Sequence, residues 1–579
     1  MKESGEKKRA PLSGRAKKLI WAAVALAAAA VVFLAGYFTY YATLPDGAKS
    51  LLWMKSEIDA NYYYGVDEDD FWDAALDGAS SVLDDYSGYY SEEEYAARQS
   101  DYAGSMVGVG LNFFSGTNLI SRVAIGSPVF LAGGGEKIVQ EGMYLTGAGE
   151  SEESLAVIDD YSSAAEAFAD FAEGDTVCMR FSAENSADAA DSFTLTVTYS
   201  AYTESFLLYA YGGKAYAYLY DEDGGAHWSD VSEHVTQDET AAGADGVAYI
   251  RLVRFAGDAA EAFARAAAQY REDGAETLFL DLRNNGGGLM SVLERISAYL
   301  LRDADSDNEI IQTARYKSGS ETRFRADGNY FADYFGDSAV YVAANGNSAS
   351  ASEALIGAMY SYGTISYADI FLTKIGDYTA KTYGKGIMQT TYTNGGEAVT
   401  LTTAQIYWPN GTCIHGKGIT ENDSDASGSP QTVAVENNAD YGNAALAQML
   451  AGVGAWGGGR GQRKRSGKKG RGARNFPRAA PLCRTGRCHR TAFLPYGAAH
   501  VCGRRVPRRF RKTIHRMTSA RTARIFSLPR GEGAAASAAR SRVSAARSER
   551  RFGSVSALSS PSGRTRTSPR SAKRAAFFA

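Results

Sequence analysis

Residues 277–301 read TLFLDLRNNGGGLMSVLERISAYLL. The first six are apolar at most positions, as a strand buried on both faces requires. Three glycines at 286–288 then separate them from residues 289–301, whose apolar positions recur at helical spacing. The alternation continues outward. Residues 247–253 read as a strand, 258–270 as a helix, and 340–344 as a strand running into a helix over about 350–362. From 246 to about 440 strands alternate with helices, which predicts an α/β domain.

Upstream the period shortens. Met106 to Phe113 reads MVGVGLNF, and Phe193-Thr194-Leu195-Thr196-Val197-Thr198 alternates like a strand with one buried face. Residues 104–203 are therefore expected to form a β-rich unit. Residues 45–103 read as a helical segment, apolar and acidic residues alternating at helical spacing in Phe71-Trp72-Asp73-Ala74-Ala75-Leu76. The dense stretch Asp84-Asp85-Tyr86-Ser87-Gly88-Tyr89-Tyr90 is read with it, as a solvated acidic face.

Residues 19–41, LIWAAVALAAAAVVFLAGYFTYY, carry no charge and match the ~20 residues that span a bilayer. Lys and Arg crowd residues 1–18, and Asp46 opens an acidic region. The positive-inside rule keeps the N-terminus cytoplasmic and exports the rest, which predicts a single-pass cell-membrane signal anchor. A cleaved signal peptide is the alternative, with a shorter apolar region of roughly 7–15 residues. At the other end, residues 455–579 hold 32 of the 61 Lys and Arg but 2 of the 66 acids. The body is thus strongly acidic, which argues against nucleic acid as a partner. The basic low-complexity tail reads as out-of-frame translation or as a segment that meets anionic polymers. The cysteines form no disulfide framework, and the Cys483, Cys488, His489 and Cys502 group lacks the spacing of a zinc site.

Three stretches carry chemistry. Asn345 to Glu353 reads NGNSASASE between a strand and a helix. Any of Ser348, Ser350 and Ser352 can cap the helix, and a nucleophile there would sit beside unpaired N–H groups. Thr382-Tyr383-Gly384-Lys385-Gly386-Ile387-Met388-Gln389 sets a lysine between glycines. Burial would depress its pKa enough to make it a base, and Gln389 could hold its amine. The glycines at 286–288 expose N–H groups at a helix start, as an oxyanion or anion site needs, while GxGxxG and GxxxxGK[ST] nucleotide loops are missing. No GxSxG elbow surrounds Ser350, so His415 reads as structural.

In order and wording these motifs resemble the S41 family of C-terminal processing (tail-specific) serine proteases, over roughly residues 55–440. The resemblance rests on Asp281-Leu282-Arg283-Asn284-Asn285, the serine run, Tyr383-Gly384-Lys385-Gly386, Leu401-Thr402-Thr403-Ala404 and Ile414-His415-Gly416-Lys417-Gly418-Ile419-Thr420. It implies a ClpP/crotonase-like α/β core in residues 204–454. It also implies Ser350 as nucleophile, Lys385 as base, Gln389 as its orienter, and the N–H groups of Gly287 and Ala351 as an oxyanion hole. Gly108, Val109, Gly110 and Leu111 resemble the carboxylate-binding loop of a PDZ domain, which implies that residues 104–203 capture protein or peptide C-termini. No metal or organic cofactor is implied. The competing reading is an inactive PDZ scaffold that only binds C-termini. Two features depart from the family pattern. Gly286 stands where proline is usual, and the 35 residues from Ser350 to Lys385 are too many. The excess reads as an inserted loop over 367–381, which brings Lys374 into question as the base.

Overall fold

The structure is a computed structural model that describes residues 13–460, apart from 115, 222, 242–245, 305–308 and 436–442. Residues 1–12 and all but the first six residues of the 455–579 tail lie outside the described residues.

An eight-stranded sheet is the core. Its order across the sheet is Ala226–Asp230, Lys214–Tyr220, Leu207–Tyr211, Val247–Leu252, Thr277–Asp281, Ala339–Ala344, Ile370–Ile375 and Gln431–Val435. The first three pair as antiparallel hairpins, and from Val247–Leu252 onward every neighbour is parallel. Strand side chains alternate between two apolar layers. Leu278, Leu280, Val340 and Val342 face the helices Ala259–Asp273, Met290–Leu300 and Ala351–Ser361. Phe279, Tyr341 and Phe371 face the C-terminal helix through Ala445, Leu446 and Met449. Burying each such side chain contributes roughly 1.5–3 kcal/mol. Both faces being covered is why residues 277–282 lack a polar alternation.

The expected α/β alternation is present, with the predicted boundaries shifted by three residues at most. The 367–381 reading is corrected. Ile370–Ile375 is an interior strand of the sheet, seventh of the eight, with its first four residues buried, and is preceded by a short turn at Tyr367–Asp369. Only the turn beyond it is open, Tyr378 being 79% exposed. No inserted loop has to fold away from the site.

A second sheet runs Gly88–Tyr90, Glu397–Tyr407, Ile310–Tyr316 and Glu321–Arg325, with Ile387–Asn394 also paired to Glu397–Tyr407. Its first strand corrects the helical reading of 84–90. The helix Glu68–Ser80 ends before it, the helix Glu92–Ala103 begins after it, and Gly88 pairs with Thr400. Ser91 caps that later helix reciprocally with Glu94, so a strand-to-helix break is built in at this point.

Residues 104–203 are β-rich, as expected, in three small sheets around one apolar cluster that includes Leu145, Val177, Phe181 and Tyr199. Phe193–Thr198 is a strand that buries Leu195 and Val197 while Thr194, Thr196 and Thr198 stay at least partly exposed. At the other end of the chain, the helix Gly14–Thr43 contains one segment, Lys18–Thr43, long and apolar enough to cross a membrane. Its 26 residues extend about 39 Å, beyond the ~30 Å of a hydrocarbon core.

Candidate active site

Parallel strands Thr277–Asp281 and Ala339–Ala344 deliver two turns to the same end of the core sheet. Side chains stitch these turns together. Asn345 Nδ2 and Asn347 Nδ2 each donate to Asn284 Oδ1 at 2.9 Å, and Asn284 N–H donates to Asn345 Oδ1 at 3.0 Å. Among the described residues only Asn284, with φ 60°, and Ser350, with φ 56°, are non-glycine residues in positive φ. Strain of this kind costs about 1–3 kcal/mol per residue and persists where surroundings enforce it. Both strained residues fall at the expected site.

The three serines are not equivalent. Ser348 Oγ donates to Leu282 O at 2.7 Å, and Ser352 Oγ donates to Asn285 O at 2.8 Å; both are fully buried. They brace the serine turn against the glycine turn. Ser350 is the partly exposed one, at the N-cap of Ala351–Ser361. Gly287 lies directly against it. A Cβ on Gly287 would come within 2.8 Å of Ser350 Cβ and 2.9 Å of Ala351 N, and φ there is 102°. The Gly287 N–H, expected to face an oxyanion, donates to Asn285 Oδ1 at 2.9 Å. That hydrogen must be shared or released before Gly287 can serve an oxyanion.

Glu353, one turn into the helix, was named in the serine run but given no role. Its S-x-x-E spacing from Ser350 is the one local signal that marks it. It is 1% exposed and accepts four hydrogen bonds. Oε2 takes the N–H of Ser350 at 3.1 Å and of Lys385 at 2.8 Å. Oε1 takes the N–H of Gly384 at 2.8 Å and the Thr382 hydroxyl at 2.5 Å. Tyr383 N–H adds a bond to Ser348 O at 3.0 Å. The lysine loop is therefore fastened to the serine helix by its backbone.

The glycines flanking Lys385 also have a packing reason. Cβ atoms at Gly384 and Gly386 would lie 2.8 Å from Gly418 N and 2.7 Å from His415 N, so the 415–418 loop clasps the lysine loop. His415 itself is exposed. Burial pushes the Lys385 amine below its ordinary pKa of 10.5, and Arg98 adds to the lowering. Its Nζ sits 4.8 Å from the Tyr86 ring centroid and makes no hydrogen bond among the described residues. Lys374 points elsewhere, pairing with Glu421 at 3.3 Å. Gln389 Nε2 donates to Thr402 Oγ1 at 3.0 Å rather than meeting Lys385 with that atom.

A buried charge cluster underlies the glycine turn. Arg283 grips Asp281 through Nε at 3.0 Å and a terminal nitrogen at 2.6 Å, and Tyr249 donates to Asp281 at 2.9 Å. Burial would raise the Asp281 carboxyl, but the Arg283 guanidinium holds it below the usual range. Glu141, from the β-rich unit, joins this cluster through Arg251 at 3.1 Å and Asn284 at 2.5 Å. In that unit the Gly108 and Gly110 stretch forms the break between strands Ser105–Gly108 and Leu111–Phe113. Among the described residues Leu111–Phe113 pairs with Ile120–Val123 alone, and its three residues are all buried.

Comparison with known proteins places a family on these residues. The model of peptidase family S41 matches residues 246–424. The "Probable CtpA-like serine protease" of Staphylococcus saprophyticus is 25% identical over 377 residues, 65% of each chain. The "Carboxyl-terminal-processing protease" of Synechocystis sp. is 33% identical over 174 residues, 30% of this chain and 36% of that protein. The aligned stretches thus span about a third to two thirds of these relatives' own lengths. Among solved structures, the photosystem II D1 C-terminal processing protease aligns with 66% of this chain and 86% of its own at 20% identity and a TM-score of 0.37. The strained serine, the glycine turn packed on it and the partly buried lysine all lie within the matched span, and residues 246–424 form a peptidase family S41 domain.

Proposed function

We propose that this chain is a membrane-anchored serine endopeptidase of the C-terminal processing type, with Ser350 as nucleophile and Lys385 as general base. The observation that carries the reading is the single Glu353 oxygen that holds the backbones of both residues, beside a desolvated amine. In the proposed mechanism neutral Lys385 takes the Ser350 Oγ proton as Oγ attacks the scissile carbonyl. The Ala351 N–H, at a helix start, and the Gly287 N–H, once shared by Asn285, receive the oxyanion. Lys385 then returns the proton to the leaving amine; a water deprotonated by Lys385 attacks the acyl carbonyl, and Lys385 passes that proton to the departing Ser350 Oγ. Gln389, tied at its amide nitrogen to Thr402, is assigned to orient the lysine.

The membrane span 19–41 serves as the anchor in this reading, with the catalytic part outside the cytoplasm. Residues 104–203 act as a PDZ-like unit that takes a substrate C-terminus at Gly108, Val109, Gly110 and Leu111. Support comes from the strand Leu111–Phe113, which among the described residues pairs only with Ile120–Val123, and from Glu141, which reaches from this unit to the Asn284 turn. Product mapping by mass spectrometry tests the enzymatic claim. Wild type should cut an unstructured peptide internally and Ser350→Ala should not; equal products from both would refute it.

A further inference from the structure

Resting on that reading, we propose that Tyr86 is a positioning residue for Lys385: its ring roofs the amine, and Ser87 and Thr402 hold the roof in place. The residues lie 299 positions apart in sequence, and no motif of the peptidase domain contains Tyr86. Yet the ring centroid is 4.8 Å from Lys385 Nζ. The Tyr86 hydroxyl donates to the Tyr383 hydroxyl at 2.8 Å, and the two rings meet edge to face at 6.4 Å. Burial, with the Tyr383 hydrogen bond, pushes the Tyr86 phenol well above its ordinary value, so the roof is neutral.

The turn beneath the ring is anchored on both sides. Thr402 N–H donates to Ser87 Oγ at 2.8 Å, and Gln389 Nε2 donates to the same threonine's Oγ1 at 3.0 Å. Asp84 accepts from Tyr86 N–H at 3.1 Å. Burial raises the Asp84 carboxyl, but the Ser87 and Thr402 hydroxyls outweigh it and keep the group ionised at lower pH than usual. Gly88 then enters the sheet opposite Thr400. The strand Glu397–Tyr407 thus carries both the roof's tether and the partner of Gln389.

The ring acts on Lys385 in two opposing ways. Its face attracts an ammonium by roughly 0.5–2 kcal/mol, while its bulk excludes the water that an ammonium needs. Burial is the largest influence on the amine and lowers its pKa, so exclusion prevails and the neutral amine gains. The other groups acting on the amine include Arg98 and Tyr102 from Glu92–Ala103, Asp84 from the same turn as Tyr86, and Glu353 from Ala351–Ser361, while Tyr383 from the lysine's own loop meets the roof.

The test uses the full chain and two readouts. Competitive acetylation with acetic anhydride, read at Lys385 by mass spectrometry across pH, reports the amine without turnover. The pH profile of kcat/KM on an unstructured peptide reports catalysis. Tyr86→Ala should move both midpoints up by about one pH unit, so that kcat/KM at pH 7 falls about tenfold with KM within about twofold. Tyr86→Phe, which keeps the ring, should stay within about twofold of wild type, and Ser87→Ala should shift both midpoints upward by less. A wild-type chain that cleaves nothing while the acetylation midpoint shifts would sink the peptidase reading and leave the roof supported. Acetylation midpoints unchanged in both Tyr86→Ala and Ser87→Ala would overturn the roof.

Discussion

One carboxylate oxygen of Glu353 accepts the amide hydrogens of both Ser350 and Lys385, at 3.1 and 2.8 Å. Residues from the two loops of the candidate site are thereby set against each other through backbone, leaving their side chains available. Burial pushes this carboxyl above the usual range while four donors favour its ionised form. Glu353→Gln should therefore be costly, because an amide nitrogen would face N–H donors. We expect a loss of about 2–3 kcal/mol in denaturant unfolding. We also expect a fall of about 100-fold in kcat with KM little changed, measured by steady-state kinetics, because the lost function is alignment.

The Lys385 amine provides the pH dependence. Its folded pKa lies below 10.5, so the native state binds fewer protons than the unfolded chain between the two values. Stability therefore rises with pH through that window, and below it the cost of desolvating the amine is felt in full. Lys385→Met should raise Tm at pH 7, with the difference shrinking as pH approaches 10.5. In the wild type kcat/KM should rise with pH along an acidic limb centred below that of a free lysine amine. A Tm difference that stays constant from pH 7 to 10.5 would contradict the assignment.

Gly287→Ala tests the contact between the glycine turn and the serine. The added methyl would meet Ser350 Cβ at 2.8 Å and Ala349 O at 2.9 Å, in a backbone conformation that alanine disfavours. Peptide cleavage should drop by about 100-fold or more, while Gly286→Ala, where nothing lies within 4 Å of the new Cβ, should remain near wild type.

Two glycines of the β-rich unit separate binding from folding. A Cβ at Gly110 would sit 2.0 Å from Ser127, so substitution there should lower the thermal stability of the chain. At Gly108 the nearest atom is 3.9 Å away, in the Tyr199 ring, so a side chain there meets only the backbone strain of its φ of 156° and should cost less stability than one at Gly110. Gly108→Val should spare cleavage of short peptides and slow cleavage of long substrates that end in a free C-terminus. Equal rates on long substrates would remove the capture role.

Much of this architecture is legible in residues 277–301 and 340–362, where apolar runs, glycines and helical spacing are local signals. What escaped is non-local. The turn bearing Tyr86 looks like more acidic helix until Gly88 is seen paired with Thr400 in the second sheet. The strand Ile370–Ile375 reads as an insertion by residue spacing, although its own apolar run, Ile370-Phe371-Leu372, is a local strand signal. Glu353 shows its spacing to Ser350, but its bonds to Thr382, Gly384 and Lys385 exist only once the two loops meet. Similarly, the Asn285 side chain that occupies the Gly287 N–H is one of two consecutive asparagines that sequence alone does not distinguish.

The most direct test of the account compares initial rates of peptide cleavage by Lys385→Ala and Lys374→Ala in the full chain. Lys374 belongs to an ion pair with Glu421 on the core sheet, whereas Lys385 shares a Glu353 oxygen with Ser350. Lys385 as the base predicts background rates for Lys385→Ala and a rate within about twofold of wild type for Lys374→Ala, the ion pair being worth ~1 kcal/mol or less. Full activity in Lys385→Ala together with loss in Lys374→Ala would contradict it.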